Sequence, residues 1–200
     1  MKMTRPGFCL LVLGFSFAVL GKSAQPEEGH GLKDTVVLII RHAEKPETGQ
    51  TLSPAGDARA KACAAYFKKF SVDGRAMTPT YLFAAADSKS SHRPRLTIEP
   101  LRKALNLKID GRFSDRQFDD LARDLRTNPH GRCVLICYRH GEIPNLLRAL
   151  GAEPATLLPE GEWPGHVFDW VIQLRFDHEG RLIPSETKRI SEKLMPDDAK

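Results

Sequence analysis

The sequence predicts an α/β fold, a three-layer sandwich with a mostly parallel central sheet flanked by helices. Two apolar runs, Val36 to Ile40 and Cys133 to Tyr138, have the length and composition of strands buried on both faces. Segments with helical start and stop signals alternate with them, as in a parallel sheet built by crossovers. Both runs also end alike, in Arg41-His42-Ala43-Glu44 and Arg139-His140-Gly141-Glu142, and a Pro follows two residues later in each case. The carboxyl end of a strand is where such a sheet presents its chemistry.

A chain of 200 residues suits one domain with a substantial core. Its opening reads differently. Lys2 and Arg5 precede an apolar run from Phe8 to Leu20, short for a bilayer span and suited to a secretory signal. Residues 1–24 are therefore expected to be a signal peptide cleaved near 21–24, and 25–200 a single exported domain, periplasmic or secreted, without stable membrane association. The formal charge of +5 includes Lys2 and Arg5, and no Lys/Arg block interleaved with aromatics occurs, so nucleic acid is not an expected partner. Cys63, Cys133 and Cys137 lie beyond the leader, and this odd number argues for buried thiols over a disulfide framework.

In chain order, Ser53 as cap and Pro54 in the first turn predict a helix from Leu52 to Phe70, with Leu52, Cys63, Tyr66, Phe67 and Phe70 facing inward. Asp73-Gly74 is a turn, and Tyr81 to Ala84 a short strand. Ser90 or Ser91 is expected to cap a second helix opened by Arg93-Pro94, which Pro100 should kink or restart. A weak strand near Ile109 precedes an amphipathic helix from Arg116 to Arg126. His130 reads as a solvated turn residue. Pro144 opens and Gly151 stops a further helix. Val167 to Phe176 reads as a strand leading into a turn at Asp177 to Gly180, and the polar tail after Met195 as frayed.

Arg41, His42, Arg93 and His140 gathered around one pocket would suit a phosphoryl group. Guanidiniums can fork onto its oxygens, and a neutral imidazole can attack phosphorus. Nearby cations favour that neutral form. Residue chemistry alone leaves open which histidine attacks.

The order RHAEKP from Arg41, LSPAGDA from Leu52, Ser90-x-x-Arg93-x-x-x-Thr97 and the block from His140 to Gly151 resembles the histidine phosphatase superfamily. That group includes phosphoglycerate-mutase-like enzymes and small phosphohistidine phosphatases. The resemblance implies a phosphatase that hydrolyses phosphomonoesters, small phosphorylated substrates, through a phosphohistidine intermediate without metal or other cofactor. It assigns the nucleophile to His42, phosphate binding to Arg41 and Arg93, and support of the transferring group to His140. Thr97 sets the register that selects Arg93 over Arg95. The chain departs from the pattern at Gly141, where some relatives carry an acid, and at Arg139, where relatives tend to have a small residue. The proton donor is left to Glu142, Asp87 or Asp110. Two other readings use the same residues: a non-catalytic phosphate-ligand binder on the same fold, and a metal site from His42, Glu44, His140 and Glu142. The second leaves the two arginines unexplained, because cations repel a metal.

Overall fold

The computed structural model describes residue 1 and residues 31–199, so the expected signal peptide lies outside the described residues. Among the described residues, four α-helices alternate with the strands of a six-stranded sheet. The sequence runs β1 (Val36–Arg41), α1 (Pro54–Lys68), a small hairpin of β2 (Ser71–Val72) and β3 (Arg75–Ala76), β4 (Tyr81–Ala84) and α2 (Arg93–Leu105). It continues through β5 (Ile109–Asp110), α3 (Phe118–Thr127), β6 (Cys133–Tyr138), α4 (Ile143–Ala149), β7 (Trp170–Arg175) and β8 (Lys188–Ser191). The sheet order is β5-β4-β6-β1-β7-β8. Its first four strands run parallel, and β7 and β8 add an antiparallel edge.

All six residues of β1 and all six of β6 are buried, which is why neither run alternates with polar residues. Alternate side chains feed opposite layers. Val37, Ile39, Val134 and Ile136 pack with Leu121 and Leu125 of α3 and Leu146 and Leu147 of α4. Val36, Leu38, Leu135 and Cys137 pack with Phe67 of α1 and Ile98 and Leu101 of α2. Each fully buried aliphatic side chain contributes about 1.5–3 kcal/mol, so both faces hold the sheet.

Local chemistry sets the element boundaries. Ser53 Oγ accepts the Gly56 N–H at 3.1 Å and caps α1. Gly56 is needed for a second reason: a Cβ there would lie 2.4 Å from the Glu44 carbonyl oxygen, so only glycine lets α1 approach the chain leaving β1. Asp73 and Gly74 both adopt positive φ, the two-residue turn that suits a hairpin's twist.

Several expectations change. The residue before α2 is His92, which makes no capping bond, while Ser91 Oγ accepts the Arg93 N–H at 3.3 Å. Helix α2 continues through Pro100, whose half-buried ring costs one internal hydrogen bond without ending the helix. His130 is buried, with Nε2 2.9 Å from Asp124 Oδ2. The strand expected from Val167 begins at Trp170, and β8 carried no alternation to mark it. Cys63, Cys133 and Cys137 are free and buried.

Candidate active site

The site forms because β1 and β6 are adjacent, parallel and in register. Arg41 pairs with Tyr138, and the His42 N–H donates to the Tyr138 carbonyl at 3.0 Å. The two similar strand ends are therefore neighbours. The His42 and His140 rings lie 6.4 Å apart between centroids, nearly edge to face. They line a cleft of about 510 Å³ together with Arg41, Arg93, Arg139 and Lys45. Helix α2 brings Arg93. Thr97, one turn later, accepts the Ala43 N–H at 2.9 Å and donates to the Arg93 carbonyl at 2.8 Å, tying the first turn of α2 to the residue after His42. Arg95 points elsewhere, into an ion pair with Asp87 at 2.8 Å.

The two histidines hold opposite tautomers. His42 Nδ1 lies 2.8 Å from the Ala43 carbonyl oxygen, which can only accept, so Nδ1 carries the proton and Nε2 keeps its lone pair. His140 Nδ1 lies 3.3 Å from an Arg41 terminal nitrogen, which can only donate, so the proton of His140 sits on Nε2. Burial, opposed by the bond to Ala43 and joined by the charges of Arg41 and Arg93, lowers the pKa of His42 to about 4. Burial and the charges of Arg41, Arg139 and Lys45 bring His140 to about 4 as well. Both imidazoles are neutral at pH 7.

Arg41 is more committed to the protein than its place in the sequence suggests. One terminal nitrogen donates to the carbonyls of Pro164, Gly165 and Val167 at 3.3, 2.9 and 2.7 Å. Its guanidinium stacks on Phe168 at 3.7 Å, and its buried Nε has no partner among the described residues. Arg93 donates to the carbonyls of Gly49 at 3.1 Å and Ser90 at 3.5 Å, and its Nε is likewise unpaired. An unpaired buried donor costs about 1–3 kcal/mol. Two of them on residues lining one cleft suit an anion that would satisfy them. Arg41 is not free to fork through both terminal nitrogens; what remains is its Nε edge.

Of the three carboxylates considered from sequence, Asp87 lines the cleft. Glu142 does not; it precedes α4 and accepts from the Asn145 side chain at 2.9 Å. Asp110 does not either, being bound by Arg112 at 2.7 Å. The cleft gains one acid the sequence reading did not select, Asp115, 3.5 Å from Arg139. Gly165 and Phe168 also escaped notice; the turn-forming run Trp163-Pro164-Gly165 was their only signal. His166 is exposed and outside the cleft lining. Glu44 and Glu142 engage Arg59 and Asn145, and among the described residues no three His, Cys, Asp or Glu side chains gather as a metal-ligand set.

The fold is similar to that of histidine-phosphatase-type proteins. The protein histidine phosphatase SixA in complex with tungstate is 14% identical, with a TM-score of 0.49, over 79% of this chain and 97% of that one. A phosphoglycerate mutase from Plasmodium falciparum is 14% identical, with a TM-score of 0.48, over 74% and 87%. A mycobacterial glucosyl-3-phosphoglycerate phosphatase is 15% identical, with a TM-score of 0.45, over 78% and 96%. At these identities the likeness is one of fold. No protein-family model matches the sequence, and no curated protein matches it.

Proposed function

We propose that this chain is a phosphatase of the histidine phosphatase type, hydrolysing phosphomonoesters through a phosphohistidine at His42. The observation that carries the reading is the pair of tautomers. His42 holds a neutral Nε2 lone pair in a cation-lined cleft, whereas the Nε2 of His140 is a donor. In the first step the Nε2 lone pair attacks phosphorus. The bond from phosphorus to the leaving oxygen breaks, and that oxygen takes a proton from a carboxylic acid. Arg41, Arg93 and the His140 N–H stabilise charge on the equatorial oxygens. Water then gives a proton to that carboxylate as its oxygen attacks phosphorus, the P–N bond breaks with its electron pair returning to His42 Nε2, and inorganic phosphate leaves with His42 neutral and the carboxylic acid restored.

Acid quench during turnover of a labelled aryl phosphate tests the reading. The protein is expected to carry acid-labile, base-stable label on His42. His42→Ala should abolish the label, while His140→Ala should slow its formation by about 10²-fold or more. Label retained in His42→Ala and lost in His140→Ala would reverse the two roles. Phosphate binding without label or turnover would favour a non-catalytic phosphate-ligand binder.

A further inference from the structure

The cations of the cleft fall into two groups. The inner pair is spent on the protein. Arg41 is 4% exposed and committed to three carbonyls and His140, and Arg93 is held by two carbonyls. The outer pair is almost unspent. The Arg139 side chain is 55% exposed, and among the described residues one of its five N–H donors finds a partner, the Asp115 carboxylate at a long 3.5 Å. Lys45 is exposed, and no carboxylate pairs with it among the described residues.

One phosphoryl group does not account for the outer pair. The donors the inner arginines keep, their unpaired Nε–H groups, serve its oxygens together with the His140 N–H, and a cleft of about 510 Å³ holds a molecule much larger than phosphate. Arg139 also has a cost: its charge adds to burial in lowering the pKa of both Arg93 and His140. Like charges gathered around a partly desolvated cleft repel one another unless an anion enters between them. Arg139 follows the last residue of β6 and adjoins His140, so its guanidinium stays within side-chain reach of the phosphoryl position. That placement suits a group attached to the substrate better than a diffusing counterion.

We propose that Arg139 and Lys45 form a second anion subsite at the outer edge of the cleft, so that the preferred substrates are phosphomonoesters whose leaving group bears a further carboxylate or phosphate. The inference rests on the phosphate-site reading above. It also couples to the chemistry, because a second anion that captures Arg139 releases Asp115 from its one side-chain partner among the described residues.

Calorimetric binding of three small phosphonates to the full chain, in metal-free low-salt buffer, tests the subsite without requiring turnover. Methylphosphonate presents the phosphoryl mimic alone; phosphonoacetate adds a carboxylate and methylenebisphosphonate a second phosphonate. At least one two-anion ligand should bind about tenfold more tightly than methylphosphonate, the scale of one charge-assisted contact. Which one gains more identifies the second group. The ratio should fall to near one in Arg139→Ala, persist largely in Arg139→Lys, and shrink with added salt. Lys103→Ala removes an equal charge from the far end of α2 and should leave the ratio intact. A ratio near one in the unaltered protein overturns the proposal, as does a ratio that survives Arg139→Ala or falls equally in Lys103→Ala. A protein that shows the ratio but turns over no phosphomonoester ends the phosphatase reading and keeps the subsite. One that turns over aryl phosphates with a ratio of one does the reverse.

Discussion

At the scale of single residues, the proton donor turns on which carboxylates reach the cleft. Asp87 lines it but is held by Arg95 Nε at 2.8 Å, whereas the nearest cation to Asp115 is 3.5 Å away. Asp115 is thus the less firmly paired acid and the better placed to exchange a proton. An alkoxide leaving group needs that proton in the transition state, and a phenolate much less. Asp115→Asn is expected to slow alkyl phosphates by about 10²–10⁴-fold while sparing aryl phosphates. Parallel rate measurements on the two ester classes check this. The same selective loss in Asp87→Asn, with Asp115→Asn normal, would move the role to Asp87.

At the scale of elements, legibility followed burial. The strands β1 and β6 were readable because burial on both faces leaves an unbroken apolar run, and α1 because Ser53 and Pro54 mark its start. The histidines and Arg93 were readable because they sit at the ends of these elements. The loop that holds Arg41 was not, since it acts through main-chain carbonyls of residues 164–167, and a carbonyl has no sequence signature. Strand β8 was missed because its outer position leaves it mostly exposed. Just beyond it, Glu192 is 8% exposed, beside the Cys63 thiol, with one carboxyl oxygen unpartnered. Burial raises its pKa from 4.5 to about 8. The folded state therefore holds a proton that the unfolded state has lost, and the resulting stability, full below pH 4.5, disappears as pH rises through about 8. His42 and His140 act in the opposite direction: with pKa values lowered from 6.5 to about 4, they cost stability as pH falls through that interval. The two effects overlap between pH 4.5 and 6.5, where the two histidines outweigh the single Glu192, so thermal unfolding should be most resistant near pH 6.5. Glu192→Gln, which fixes the neutral form, should flatten the decline towards pH 8 and steepen the fall below pH 6.5, where the histidines then act unopposed. An unchanged decline would mean that Glu192 does not hold its proton.

At the scale of the whole molecule, the tail closes onto the site. The residues after Met195 were expected to fray, because their composition is polar. Instead Asp198 accepts from both terminal nitrogens of Arg59 at 2.9 and 2.8 Å, and its Oδ2 also accepts the Met195 N–H at 2.8 Å. Arg59 is buried on α1 and uses its Nε on Glu44, two residues past His42. Burial works against its charge, but the bonds to Asp198 and Glu44 outweigh it and raise the pKa. The Phe168 ring centroid is 3.7 Å from the Arg41 guanidinium and 5.7 Å from that of Arg59. A chain of contacts thus runs from the tail through Arg59 and Phe168 to an inner arginine of the cleft. Both side chains of the Arg59–Asp198 pair are 6% exposed. Removing Asp198 leaves the buried Arg59 charge to Glu44 alone and its two terminal nitrogens without these bonds, at about 1–3 kcal/mol. Asp198→Ala should therefore lower Tm by several degrees, and Asp198→Asn by less, since the amide oxygen still accepts one bond. Loss of the Arg59 anchor also loosens Phe168 against Arg41. In the proposed mechanism Arg41 acts on the transferring group, so kcat should fall about three- to tenfold, with KM for a small aryl phosphate changing little. Measuring kcat well below the Tm of the variant separates positioning from unfolding. A normal kcat with a lowered Tm would confine the tail to stability, and an unchanged Tm would mean that the tail does not hold Arg59 in solution.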